Sequence, residues 1–199
     1  MAVKFQYNKT SLQNLNKQLS VRERALPTLK NKESALRSEV RRAKEEEERL
    51  RLEYEATMKK YDHMVRLWGE FDPSIIRIAD VDLSIKKIAG VLTPVLNEVK
   101  IEVAPFSLFS RPIWFYDGIA ILKSLAEIAI NQEVFARKME LLDYARKKTT
   151  QKVNLYEKIQ IPGFEDAMRK IKRFLEDEEN LSKAAQKIVK MRQEKEIVL

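Results

Sequence analysis

The sequence predicts a mainly α fold: a long two-stranded antiparallel coiled coil, with a small β-hairpin head between its two arms. Three observations predict it. Apolar residues recur at alternating steps of three and four along both ends of the 199-residue chain, the period of a coiled-coil seam. Seven of the ten Gly and Pro residues fall between Gly69 and Gly118, so the helix breakers are concentrated in the middle. Within that middle, Val and Ile alternate with polar residues, which is the period of a strand. The composition suits long helices, with 34% charged and only 8% aromatic residues.

The first arm is expected over residues 1–68. Its seam runs through Leu12, Leu15, Leu19, Arg22, Leu26, Leu29, Glu33, Leu36, Val40, Ala43, Glu47, Leu50, Tyr54, Thr57, Tyr61, Met64 and Trp68 without a change of phase. Thirteen of these seventeen positions are apolar or aromatic. The residues between them are strongly charged, as in RRAKEEEERLRLEYE, which is a solvated outer face. Pro27 is the only breaker in the arm. One helix of roughly 85 Å is therefore expected, at about 1.5 Å per residue.

The head is expected over residues 69–118. Leu83, Ile85 and Lys87 alternate with polar residues, and Val99, Ile101 and Val103 alternate with Lys100 and Glu102. This predicts a β-hairpin over about 81–103, with GVLTPVLNE as its connection. A lone hairpin is marginal in water, so it should pack on the coil or on a partner. An aromatic return, APFSLFSRPIWFYDG, follows it.

The second arm is expected over residues 119–199. Its seam includes Leu125, Ile128, Phe135, Met139, Leu142, Val153 and Tyr156, and resumes through Phe164, Ala167, Ile171, Phe174, Leu181, Ala185 and Ile188. Tyr156, Gln160 and Phe164 are separated by two successive steps of four, a slip of one residue beside the helix breakers Pro162 and Gly163. If Trp68 lies level with Ile119, residue numbers at one level sum to about 187. Pro27 then lies opposite residue 160, and a joint is expected at Pro27, Pro162 and Gly163, with a bend or a loss of regular helix in both arms. The same count leaves the last dozen or so residues of the second arm without a partner helix.

Little in the chain points to bond chemistry. There is no cysteine and one histidine, His63, so no thiolate chemistry and no His/Cys metal site are expected. The Glu45–Glu48 run reads as a charged helix face, because consecutive helical residues point in different directions. No two glycines are spaced as in a phosphate-binding loop. No catalytic, cofactor-binding or metal residue is assigned. No apolar run is long enough to cross a membrane, and the N-terminal stretch lacks an apolar signal core, so an intracellular protein is expected. The net charge is +8. Residues 1–20 and 182–199 each carry +3, so an antiparallel pair has one basic tip, represented by Lys4, Lys9, Lys183, Lys187, Lys190 and Arg192. No aromatic platform or nucleic-acid motif accompanies it.

The order of arm, hairpin with IAGVLTPVL, aromatic return and arm with KVNLYEKIQIPGFEDAMRKIKRFLEDEE resembles the D subunit of V-type (V/A-type) ATPases, the central rotor stalk. The resemblance rests most on Val153-Asn154, Ile161-Pro162 and the run from Ile171 to Glu179. LPTLKNKESALR, from Leu26 to Arg37, resembles the family's N-terminal motif, with Pro27 where the family often has Gly. The resemblance implies a non-catalytic axle that couples ATP hydrolysis or synthesis in a ring of A and B subunits to H⁺ or Na⁺ transport in a membrane ring. It implies that the basic tip enters the A/B ring, that the head side binds the small F subunit, and that the head reaches a socket subunit on the membrane rotor ring. No nucleotide is bound directly, and the protein sits on the cytoplasmic side as part of a peripheral membrane complex. The competing reading is a stand-alone coiled-coil scaffold or adaptor, which has no need for a hairpin with open edges. A basic nucleic-acid-binding rod is a third reading, and predicts steeply salt-dependent duplex binding.

Overall fold

A computed structural model describes residues 3–107 and 111–197. The chain is mainly α, with one two-stranded antiparallel sheet. Helix α1 spans Lys9–Lys60, and a short 3₁₀ turn leads to α2, Val65–Trp68. Strands β1, Ile76–Ile88, and β2, Val91–Val103, form the hairpin. Helix α3 spans Trp114–Asn154, a π turn covers Leu155–Gln160, and α4 runs from Ile161 to Ile197. The chain divides into two compact units, Met1–Asn31 with Thr149–Leu199 and Lys32–Lys148; we call them the terminal and central units.

In the terminal unit, α1 and α4 run antiparallel around Leu15, Leu19, Phe164, Ala167 and Ile171, all buried. Asn8 caps α1: its side-chain oxygen accepts from the Ser11 amide at 2.7 Å. The residues before the cap fold back on α4, so that Val3 and Phe5 pack on the same core and the Tyr7 ring meets Phe174 at 4.9 Å.

In the central unit, Leu36 and Ala43 of α1 close on Leu142 of α3, with Val40 and Met139 beside them. The hairpin tip completes this core through Ile88, Ala89 and Val91. A second cluster, Ile75, Phe115 and Ile119, lies at the base of the hairpin with Ile76, Val103 and Trp114. Trp68, Phe71, Trp114 and Phe115 stack around it, the two indoles edge to face at 5.5 Å.

Several boundaries differ from those expected. The hairpin starts at Ile76 rather than near residue 81, and its connection is the two residues Ala89 and Gly90, so GVLTPVLNE is mostly strand β2. Both connecting residues have positive φ, 47° and 83°, the geometry of the turn that suits a two-residue hairpin. Pro94 sits in the strand opposite Ile85; a two-stranded sheet has an open edge on each strand, where a missing N–H costs no ladder bond. α1 ends at Lys60, eight residues before Trp68, although the seam spacing continues. Trp68 instead stacks in the aromatic cluster, and that packing takes the chain out of the helix. The second arm begins at Trp114, before Ile119.

Candidate interaction surfaces

The expected seam positions are distributed over both units. From α1 through the 3₁₀ turn to α2, every member of the series from Leu12 to Trp68 is buried or half-buried, including Leu26, Leu29, Tyr54 and Tyr61. The charged or polar members Arg22, Glu33, Glu47 and Thr57 are half-buried too. Leu125, Phe135, Met139, Leu142 and Val153 of α3 are also buried or half-buried. On α4, Phe164, Ala167 and Ile171 are buried, whereas Phe174, Leu181, Ala185 and Ile188 are exposed, Leu181 by 72%. Helix α1 begins only at Lys9, and Tyr7, Asn8 and Lys9 border a shallow cavity with Leu175, Glu179 and Ser182.

The helix-break residues divide between the arms. Pro27 lies inside α1, which runs through it without interruption, and it is exposed. Pro162 and Gly163 occupy the first turn of α4, directly after the π turn. The Ile161 amide donates to the Tyr156 carbonyl, five residues back. Of these two places, regular α geometry is therefore lost before Pro162, where the sequence of the second arm slips by one residue, and not at Pro27. A π turn takes up one extra residue by widening the hydrogen-bonded loop.

Two exposed surfaces among the described residues bear on interactions. The first is the terminal stretch of α4, where every residue from Leu181 to Gln193 is exposed. Lys183, Lys187, Lys190 and Arg192 share it with Ile188, Val189 and Met191, each about half exposed. Lys183 bridges Glu179 at 2.7 Å. That hydrogen bond holds the Glu179 carboxyl below the usual range. Lys4 and Lys9 are exposed in the same unit.

The second surface is the outer face of the hairpin. Paired residues share a face, so Leu83 with Leu96, Ile85 with Pro94 and Lys87 with Leu92 lie on one side. Ile88, Val91 and Thr93 lie on the other, against the coil; Thr93 is fully buried, and its hydroxyl donates to the Lys86 carbonyl at 2.9 Å. The outer side exposes Leu83, Ile85 and Leu92 by 47%, 73% and 63%, a high apolar exposure for three neighbouring side chains. Sequence alternation picks out Leu83 and Ile85. It misses Leu92 and Pro94, because the glycine and proline of GVLTPVLNE read as a connection rather than a strand.

Three of the four acids of the Glu45–Glu48 run are paired along their own helix, and Glu47 accepts from Gln132 of α3 at 3.3 Å. Glu45, Glu46 and Glu48 bridge Arg41, Arg49 and Arg51 at 2.8, 3.0 and 2.6 Å. The Arg51 hydrogen bond lowers the Glu48 carboxyl. His63 is exposed. Among the described residues no three His, Asp or Glu side chains gather as a metal site, and no helix is long and apolar enough to cross a membrane.

The family of the ATP synthase D subunit matches residues 11–191 of this chain. The V-type ATP synthase D subunit of Borreliella burgdorferi is 28% identical over 189 residues, covering 94% of each chain. The Chlamydia pneumoniae protein of the same description is 27% identical over 182 residues, covering 89% of this chain and 87% of its own length. That of Chlamydia caviae is 29% identical over 164 residues, 80% and 79% of the two chains.

Proposed function

This chain belongs to the family of the ATP synthase D subunit, and on that premise we propose that it is the central rotor axle of a V-type (V/A-type) rotary ATPase. It carries torque between ATP turnover in the A/B ring and ion transport in the membrane ring, and makes or breaks no bond itself. The observation that carries this reading is the family match from residue 11 to 191, which takes in both helical arms and the hairpin.

The physics of the role needs only a body whose side chains differ around its axis. Such a body touches three catalytic pairs differently at each angle. Hydrolysis then favours successive orientations by the difference in contact energy, and the same coupling runs in reverse during synthesis. The open stretch of α4, with Lys183, Lys187, Lys190 and Arg192, is the surface offered to the ring. The outer face of the hairpin is the surface offered to the small F subunit of the stalk, with Leu83, Ile85 and Leu92 at its centre. The head meets the socket subunit of the membrane rotor, which makes the chain part of a peripheral complex on the cytoplasmic side.

The test is capture of the tagged chain from detergent-solubilised membranes of its own source. Nucleotide-binding A and B subunits should accompany it, and a bead fixed to the chain on an immobilised ring should rotate when ATP is supplied. Recovery of this chain only as homodimers would favour a scaffold instead. Within the assembled complex, Lys183→Glu with Lys187→Glu and Lys190→Glu should lower ATP turnover. Equal turnover at equal assembly would remove the tip from the ring contact.

A further inference from the structure

We propose that the terminal unit contains a compliant joint at the level of Pro27 and the π turn, held closed by Arg22. Two cross-arm pairs locate it. Arg22 Nε donates to Gln160 Oε1 at 2.6 Å, and Lys30 Nζ bridges Glu157 at 2.6 Å. Pro27 lies between Arg22 and Lys30 in the chain, at the height of the π turn. Counting from these pairs, Pro27 and Pro162 stand about 3–11 Å apart along the helix axis, within two turns.

Both backbone ladders are weakened at this one level. Pro27 has no N–H to give to Glu23, and its ring crowds that carbonyl. Pro162 likewise gives nothing to the turn before it, and in a regular α-helix its ring would press on the Lys158 carbonyl. The π turn widens the loop at that point, and the Ile161 amide reaches back to Tyr156 instead. Gly163 follows, a residue with low helix propensity. Elsewhere in the terminal unit, α1 and α4 carry no such defect among the described residues.

Arg22 closes the joint with side chains where the backbone is weak. Its guanidinium lies 4.6 Å from the Phe164 ring centre and 5.9 Å from that of Tyr156, and a further N–H reaches the Gln18 carbonyl at 2.9 Å. Steps of four overshoot a full α turn by about 40°, so Tyr156 and Phe164 would diverge by about 80° on a regular helix. The extra residue in the π turn removes that divergence and lets both rings meet one cation. Phe164 is buried and Arg22 half-buried, whereas the Lys30–Glu157 pair is open to solvent on both sides and contributes little. Arg22 is thus a positioning residue that couples the two arms. The use of this compliance to take up twist during rotation rests on the rotor reading; the joint itself does not.

Hydrogen exchange on the purified full chain tests the joint without any partner. Amides of 155–164 and 23–31 should exchange about tenfold or more faster than those of 165–172 and 12–19, which share the same unit. Pro27→Ala restores one hydrogen bond in α1, and should slow exchange on both arms at this level by about five- to tenfold, the effect of a single net bond. Arg22→Ala should speed exchange at 155–164 and leave residues 36–43 unchanged. The proposal is overturned if the joint exchanges like its flanks, or if Pro27→Ala slows only α1. Loss of ring rotation with normal joint exchange would bear on the rotor reading alone.

Discussion

Deleting Lys158 together with Pro162→Ala should leave the terminal unit about as stable as before. Ordinarily a one-residue deletion in a packed helix rotates everything beyond it by about 100°. Here the π turn already holds one residue more than α geometry allows, so the deletion removes the surplus. Tyr156 and Phe164 then stand seven residues apart, the seam spacing, and Phe164, Ala167 and Ile171 keep their places against Leu15 and Leu19. The proline is replaced because a regular helix would set its ring against a carbonyl four residues back. The net change should lie within about 1 kcal/mol, the scale of one hydrogen bond gained or lost. Deletion of Lys170 is the control. It falls between Ala167 and Ile171, which are 2% and 0% exposed, and brings Lys172 to the place of Ile171. Losing a fully buried Ile costs about 2–5 kcal/mol, before any cost of burying the ammonium. Urea unfolding of the two purified variants, followed by far-ultraviolet ellipticity, separates the outcomes. If both deletions destabilise equally, the π turn is not an absorbed residue and the register argument fails. The sequence bears on the same point: with Lys158 kept and the turn made regular, Gly163, Asp166 and Lys170 would face α1 in place of the apolar trio.

Leu36→Asp should destabilise the central unit by more than about 3 kcal/mol, because Leu36 is wholly buried and the carboxylate would have no partner there; a thermal unfolding shift of the size seen at surface positions would contradict the packing. Leu83→Ser with Ile85→Ser and Leu92→Ser should weaken binding of the small stalk subunit in a titration while leaving the melting temperature unchanged, since these side chains point away from the coil; unchanged affinity would clear the outer hairpin face of that role. Excision of Val81–Val103, by contrast, should also lower coil stability, because Ile88, Ala89 and Val91 pack against the core of Leu36, Ala43 and Leu142. Asp72 accepts from the Ser74 hydroxyl and amide and from Arg111, and these hydrogen bonds hold its carboxyl below the ordinary value. Its contribution is present above pH about 4, the unfolded value, and is lost as pH falls through the folded one, so the stability gap between wild type and Asp72→Asn should close on acidification.

The sequence alone determines the seams, the concentration of breakers in the middle and the slip of one residue before Phe164. These are legible because helix and strand periods are local: a residue's face follows from its neighbours three, four or two places away. The basic ends are equally legible, as charge is a property of composition. Other features depend on contacts distant in sequence. The turn falls at Ala89 rather than at a more typical Asn because Ala89 packs on the coil core, and that packing offsets its positive φ. Helix α1 stops at Lys60 although its seam continues, since Trp68 joins Trp114 and Phe71, the former more than forty residues away in the chain. Leu181 has a seam position but stays 72% exposed, at the end of the pairing where α1 has only just begun at Lys9. A slip in sequence can be met by a kink, a loop or a widened turn, and the choice of a π turn is made by Phe164, Gln160 and Arg22 meeting across the two helices. Periodicity decides which side of an element seeks a partner; only the tertiary structure decides where that partner is, because burial energy is gained between surfaces that the chain brings together from far apart.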